Sequence, residues 1–465
     1  MSEVFKRRTR VGAPAEEVFG WHARPGALER LTPPFSPVEV VERNGGIADR
    51  ARVVLKIPLG PTHVRWVAEH QDYIEGRQFR DVQVEGPFAR WKHTHRFEPD
   101  GPHASFLEDR IDYALPFGAA GALVGGPFVR DMLDRMFTYR HHTTVEDIAT
   151  HAAYPGGPLH IAVSGSTGLV GSALIPFLTT GGHRVTRLVR STPVHPDAEV
   201  RWDPTAGTID AAQLEGINAI VHLAGENIAA GRWTEATKAR IKESRLRGTR
   251  LLCESAARLQ RPPKVLVCAS AIGYYGDRGA TVVDEDSPPG TGFLAEVCSE
   301  WEAATAAARA SGIRVVQMRL GVVLTAAGGA LAKLLLPFQL GTGGRLGSGE
   351  QYMSWVSLDD VIGAILHALR TDVLEGPVNA VAPHPVTNQE FTKTLGRVLR
   401  RPTVFPVPAM AARFAFGEMA DEMLLASARV APTRLAATHY AFRHADLEAA
   451  LRHTLGKTRR GGTEP

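Results

Sequence analysis

The sequence predicts an α/β protein built on a doubly wound parallel sheet, with an α+β domain before it and a small helical domain after it. Three observations carry this. From Leu159 onward, short apolar runs alternate with helical stretches: LHIAVSG and a helix, HRVTRLV, AIVHLAG and a long charged helix, KVLVCAS and a helix, then IRVVQMRLG. Before that point, ARVVLKI, HVRWVAEH and ASFLEDRIDYAL alternate with the period of two expected of half-buried strands, and a helical run follows from about Phe128 to Ala149. Between the two patterns, HAAYPGGPLH gathers Pro155, Gly156, Gly157 and Pro158, a composition that breaks helix and strand alike. The domains expected are therefore 1–150, 159–400 and, beginning with PVPAMAARFAFGEMADEML, 404–456.

A chain of 465 residues is longer than one hydrophobic core usually supports. Its 44% hydrophobic and 22% charged content is ordinary for globular proteins and excludes wholesale disorder. A net charge of +4 is small for this length, so the pI near 9.0 does not point to nucleic acid as a partner. The start MSEVFKRRTR is charged where a secretory signal needs an apolar run, and no stretch matches a membrane span; a cytoplasmic protein without membrane partners is expected. Cys253, Cys268 and Cys298 form no C-x-x-C pair and are read as isolated small residues. The basic tail LRHTLGKTRRGGTEP reads as a solvated end, and nothing fixes the oligomeric state.

Cofactor chemistry is concentrated in LHIAVSGSTGLVGSALIPFL, where a strand runs into G-x-x-G-x-x-G and a helix follows. Gly165 permits the tight turn, Gly168 lets backbone approach a pyrophosphate, and Gly171 lets the helix pack on the strand. Ser166 and Thr167 add donors, and Leu169 and Val170 open a helix whose N-terminus favours anions. This strand–loop–helix is the dinucleotide-binding signature of a Rossmann domain. Roughly 20 residues on, at the end of HRVTRLVRS, an NAD site would place an acid on the ribose 2′-hydroxyl. Arg190 stands there instead, and a guanidinium pairs with a 2′-phosphate where a carboxylate would repel it, so the cofactor expected is NADP. AIVHLAGEN ends in Ala224 and Gly225, small enough for the nucleoside to lie against the backbone, with Glu226 and Asn227 at the mouth. A second glycine cluster, GTGGRLGSG at 341–349, follows a helix end and not a strand, and reads as a flexible substrate-side loop.

Together with HLAGENIAAGRW, ESRLRGT, SAIGYYG, FLAEVCSEWEAA, RLGVVL, LLPFQLGTGGRLGSGEQYMSWVSLDD and GEMADEMLLASARVAPTRL, the SGSTGLVG loop resembles the extended short-chain dehydrogenase/reductase family, in its nucleoside-diphosphate-sugar epimerase-like branch. That resemblance spans Leu159 to Gly456 and implies that the C-terminal part is the branch's small domain of unknown function. Carried over by position, it implies that Val189, Arg190, Leu223, Ala224 and Arg245 contact the cofactor, and that Ser270 polarises a substrate carbonyl. In the family a Tyr-x-x-x-Lys pair moves the proton; with Glu302 lined up, GFLAEVCSEWE offers Leu294 and Cys298 at those positions, so the pair is missing. Tyr274 or Tyr275, close after Ser270, could substitute, and Tyr274 is the candidate acid/base. The substrate expected is a small molecule, a carbonyl compound or nucleotide sugar, with hydride passing to or from a nicotinamide. The alternative is a non-catalytic NADP(H) sensor or a carrier of hydrophobic ligands. Ser354, Trp355, Asp359 and Asp360 in MSWVSLDDV suggest a cleft wall followed by an N-capped helix, and Arg319 either faces an anion or makes a strand-end ion pair.

Residues 3–150 resemble the helix-grip, START-like superfamily (SRPBCC), on the pattern of VFKRRTRVGAPAEEVFGWHARPGALERLTPP. The resemblance implies an apolar cavity for a hydrophobic ligand beneath a long helix, with Trp66, Phe79, Phe88, Trp91 and Phe97 available to line it. His93 and His95 in KHTH share one strand face, as metal ligands would; with no third ligand apparent, no metal is assigned.

Overall fold

The structure, a computed structural model, describes residues 2–59, 62–229 and 231–458, so the last seven residues of the basic tail lie outside it. By its contacts the chain forms two compact units. One runs to Gly156 and takes in Thr179–Gly182 and the chain from His453; the other comprises Gly157–Leu178 and His183–Arg452.

In the N-terminal unit, β1 (Glu3–Val11), α1 (Ala15–Ala23), α2 (Ala27–Arg30), β2 (Glu39–Asn44), β3 (Arg52–Leu59), β4 (Thr62–Ile74), β5 (Gln78–Glu85), β6 (Arg90–Pro99) and β7 (Ser105–Ala114) lead to a 35-residue helix, α3 (Gly118–Ala152). The seven strands form one antiparallel sheet in the order β1-β7-β6-β5-β4-β3-β2. β1 alternates between the two faces along its whole length, whereas β2 at the far edge is exposed throughout. α3 begins ten residues before the Phe128 expected from periodicity. Its first turns, GAAGALVGGP, carry Pro127 and four glycines, which masks a helix in the sequence. A buried two-pronged ion pair, Arg30 to Asp147 at 2.7 Å on each oxygen, ties α2 to α3.

The second unit is a Rossmann fold. Its strands are β8 (His160–Ser164), β9 (Arg184–Val189), β10 (Glu199–Asp203), β11 (Thr208–Ile209), β12 (Ala219–His222), β13 (Val265–Ala271), β14 (Arg314–Leu320) and β15 (Gly376–Ala380). They form a sheet ordered β11-β10-β9-β8-β12-β13-β14-β15, parallel apart from the short antiparallel β11. Helices α4 (Leu169–Thr180), α5 (Glu235–Ala257), α6 (Phe293–Ala303) and α7 (Ala306–Ala310) make the crossovers. The central strands are apolar and buried on both faces, as covered parallel strands must be. Strand order reverses between β8 and β12, and open α/β sheets bind ligands at such a switch point, beyond the strands' carboxyl ends. The helical segment from 404 to 452 belongs to this unit.

Candidate functional site

The loop from β8 to α4 is shaped by close backbone contact. Gly165 has φ +69°, and a Cβ there would lie 2.7 Å from the carbonyl carbon of Leu223; a Cβ at Gly171 would lie 2.2 Å from the Gly165 carbonyl oxygen. The turn closes with Gly168 N–H donating to the Gly165 carbonyl at 3.0 Å, and Thr167 and Gly168 are left exposed at its tip. Beyond it the first turn of α4 presents N–H groups with no helical partner. This cradle fits a pyrophosphate: close-packed backbone beneath, and donors with positive dipole above.

A buried network holds the two strand ends together. Ser164 Oγ accepts from Leu223 N–H at 3.2 Å and donates to His222 Nδ1 at 2.6 Å. His222 Nε2 then donates to Thr249 Oγ1 on α5 at 3.0 Å; that oxygen also accepts from Trp301 Nε1 and donates to the Arg245 carbonyl. Burial pushes the His222 pKa down to about 4, so the ring is neutral, as this chain of donors requires.

Around the cradle, Val189 ends β9 half-buried, and the exposed Arg190 follows it with no ion pair among the described residues. Its neighbour Arg187 is engaged by Glu199. Leu223 and Ala224 are half-buried beneath the loop, and Gly225 is exposed. Arg245 is held: its Nη1 donates to the carbonyls of Glu226 (3.1 Å) and Ile241 (3.0 Å), and its guanidinium lies 5.0 Å from the Trp301 ring centroid.

Ser270, at the end of β13, is buried, and its hydroxyl donates to Glu302 Oε1 at 2.7 Å. Glu302, on α6, is gripped by Arg319 of β14 through two bonds of 2.8 Å, and Arg319 Nη1 donates to the Tyr275 hydroxyl at 2.8 Å. Tyr275 in turn donates to Asn379 Oδ1 at 2.7 Å, so its hydroxyl is engaged on both sides, and burial pushes its pKa up to about 12. Tyr274 is half-exposed, with the Arg319 guanidinium 3.5 Å from its ring centroid. Sequence reasoning offered Arg319 either an anion or an ion pair; the structure gives it Glu302, 17 residues away. Cys298 lies buried on α6, its pKa pushed up to about 11 by burial.

Ser354 and Trp355 do not wall a cleft: both are fully buried, Ser354 donating to the Ala428 carbonyl and Trp355 Nε1 to that of His384. The cap of the following helix is Ser357, whose Oγ accepts from Asp360 N–H at 2.9 Å. The 341–349 loop is fastened rather than flexible, with Leu346 bridged to Val407 and Gly344 so close to the Phe405 carbonyl that a Cβ would lie 1.7 Å from it.

Residues 161–380 match the model of the NAD dependent epimerase/dehydratase family. Over 291 residues the chain is 46% identical to Epimerase family protein Mb2239 of Mycobacterium bovis, covering 63% of this chain and 96% of that one. The chain belongs to the NAD dependent epimerase/dehydratase family. Within this epimerase family it is also 38% identical to human Epimerase family protein SDR39U1, over 63% of this chain and 99% of the relative. A human SDR39U1 structure with NADPH superposes with a TM-score of 0.60 at 36% identity, over 64% of this chain and 99% of that one. A nucleoside-diphosphate sugar epimerase from Corynebacterium glutamicum is similar over 97% of this chain and 90% of its own, with a TM-score of 0.80 and 35% identity. The flanking regions match too: 407–454 a domain of unknown function, and 11–138 the polyketide cyclase/dehydrase and lipid transport model. In this epimerase-family chain, no helix among the described residues is long and apolar enough to cross a membrane.

Proposed function

We propose that this chain binds NADP(H) on the Gly165–Gly171 loop and exchanges hydride with a small carbonyl or carbinol substrate, a nucleotide sugar being one candidate, with Tyr274 moving the proton. When bound, the nicotinamide would donate or accept the hydride. The observation that carries the reading is the cradle at the strand-order reversal, together with Arg190 just after β9, exposed and without an ion pair among the described residues, where an NAD site would carry an acid. Arg190 would then pair with the 2′-phosphate, while Ser166, Thr167, Leu169 and Val170 line the pyrophosphate and Val189, Leu223, Ala224, Gly225 and Arg245 the nucleoside. Tyr274 is favoured over Tyr275 because its neighbour's hydroxyl is buried between Arg319 and Asn379. Arg319 beneath the ring fixes its orientation. We assign the protein to the cytoplasm and an apolar ligand to the N-terminal unit, on the lipid-transport likeness of 11–138.

A second reading, a non-catalytic NADP(H) sensor, is favoured by one arrangement: the Ser270 proton is engaged by Glu302, and α6 carries Leu294 and Cys298 where Tyr and Lys would act. The two readings separate on Tyr274→Phe, assayed by NADPH oxidation against a panel of carbonyl compounds and nucleotide sugars. Loss of about 10²–10⁴-fold in turnover with NADPH affinity unchanged supports catalysis. Unchanged turnover removes Tyr274 from the mechanism, and no turnover by the parent chain on any substrate favours the sensor.

A further inference from the structure

We infer that the interior of the N-terminal unit is a binding site for a divalent transition-metal ion of the zinc class, with Asp81, His93 and His95 as its protein ligands. The sheet register assembles them. Asp81 on β5 sits directly opposite His93 on β6, and alternation along β6 turns His95 to the same inward face. Their ligand atoms lie within 4.8 Å of one another. Asp81 Oδ1 is 3.2 Å from His93 Nδ1 and 3.3 Å from His95 Nε2.

Asp109 accepts hydrogen bonds of 2.7 Å from His93 Nε2 at Oδ1 and from His141 Nε2 at Oδ2, and His95 Nδ1 lies at the same 2.7 Å from Oδ1 without hydrogen-bond geometry. The Asp81 contacts are longer by about half an ångström, and they match the edge of a tetrahedron whose centre lies about 2.0–2.1 Å from each vertex, the usual zinc–nitrogen and zinc–carboxylate distance. The two histidines thus turn one nitrogen each towards Asp81 and the other towards Asp109. Binding an ion would displace protons from the first pair of nitrogens only. Asp109 would stay as the outer carboxylate, hydrogen-bonded to the His93 ring and 2.7 Å from His95 Nδ1, an arrangement typical of metal-bound imidazoles. It is itself anchored through His141, whose Nδ1 accepts from Thr9 Oγ1 at 2.8 Å.

Two further features fit an ion with an open position. His70 on β4 pairs in register with Asp81 from the other side, and its Nδ1 is buried without a hydrogen-bond partner among the described residues. Asp81 is the most exposed of the three ligands, with 18% of its side chain accessible, so the site reaches solvent on its side. Two histidines and a carboxylate suit first-row transition ions and not Mg²⁺ or Ca²⁺, which prefer all-oxygen shells. The surroundings are apolar: Phe79 stacks on His95 with centroids 4.2 Å apart, and Phe137 stands edge-on to His93.

The test is titration of the full chain, freed of metal by chelator, with Co²⁺ and then Zn²⁺. We expect saturable visible ligand-field absorption from Co²⁺, bleached by Zn²⁺, and a melting temperature that rises with Zn²⁺ but not with Mg²⁺. His93→Gln/His95→Gln should abolish the absorption, and Asp109→Asn should weaken binding by about 10–100-fold. An absence of Co²⁺ absorption and of any Zn²⁺-dependent rise in the parent chain overturns the inference, as does a signal that survives in the folded double variant. The melting readout needs no variant, so poor folding of the substituted chains leaves it intact.

Discussion

Replacing Arg319 by Met should be among the most damaging single substitutions in the Rossmann unit, and it should be rescued in part by a second one. Arg319 makes two 2.8 Å bonds to Glu302 and one to Tyr275, and only 3% of its side chain is accessible, against 12% for Glu302. Without the guanidinium, Glu302 keeps a single side-chain donor, Ser270, for a carboxylate still removed from water. Breaking one half of a buried ion pair costs roughly 3–5 kcal/mol. With an unfolding entropy of about 2.1 cal/mol/K per residue, a unit of roughly 290 residues loses about 5–8 °C in melting temperature. Glu302→Gln should cost a similar amount by stranding the cation. The double variant buries no lone charge, so it should be more stable than the sum of the two singles predicts, by at least ~1 kcal/mol. Chemical denaturation followed by circular dichroism gives the three values. Additivity of the two singles within about 0.5 kcal/mol would refute the view that this pair is one coupled unit.

The other predictions concern the cradle and its supports. Because burial lowers the His222 pKa from 6.5 to about 4, the unfolded chain binds the extra proton between those values; its contribution is intact above pH 6.5 and is lost as pH falls towards 4. Comparing stability at pH 7 and pH 5, His222→Gln should lose about 2 kcal/mol of the parent's difference, and an unchanged difference would contradict the assignment. Gly171→Ala forces its Cβ to within 2.2 Å of the Gly165 carbonyl, so nucleotide binding measured by fluorescence should fall at least tenfold; retained affinity would mean that the loop has room to move. Asp360 accepts from Ser357, Arg443 and His444, so Asp360→Ala should cost about 3 kcal/mol by thermal denaturation while leaving NADPH affinity per folded molecule unchanged.

How much of this was legible in the sequence depended on how local each feature is. The apolar runs at β8, β9, β12, β13 and β14, and the glycine spacing between β8 and α4, declare themselves within a dozen residues. β10 and β15 do not: the first follows the proline-containing STPVHPDA, and the second, GPVNA, contains Pro and Asn, both poor strand formers. The Glu302–Arg319 pair joins a helix to a strand that lies beyond another helix, so no spacing rule exposes it. His93 and His95 were visible as a strand-spaced pair, but Asp81 and Asp109 come from β5 and β7, and only the antiparallel register brings them alongside. MSWVSLDDV misled for a different reason. Its polar residues and Trp read as a wall open to solvent, whereas Ser354 and Trp355 satisfy their polar atoms on backbone carbonyls inside the core.

NADP(H) should lie in the Gly165–Gly171 cradle with Arg190 on its 2′-phosphate, and calorimetric titration with NADPH and NADH tests this directly. NADPH should bind more tightly than NADH, and Arg190→Ala should remove most of that preference, about tenfold or more for one charge-assisted phosphate contact, with NADH affinity unchanged. Failure of both nucleotides to bind, or an equal loss for both in the variant, would contradict it.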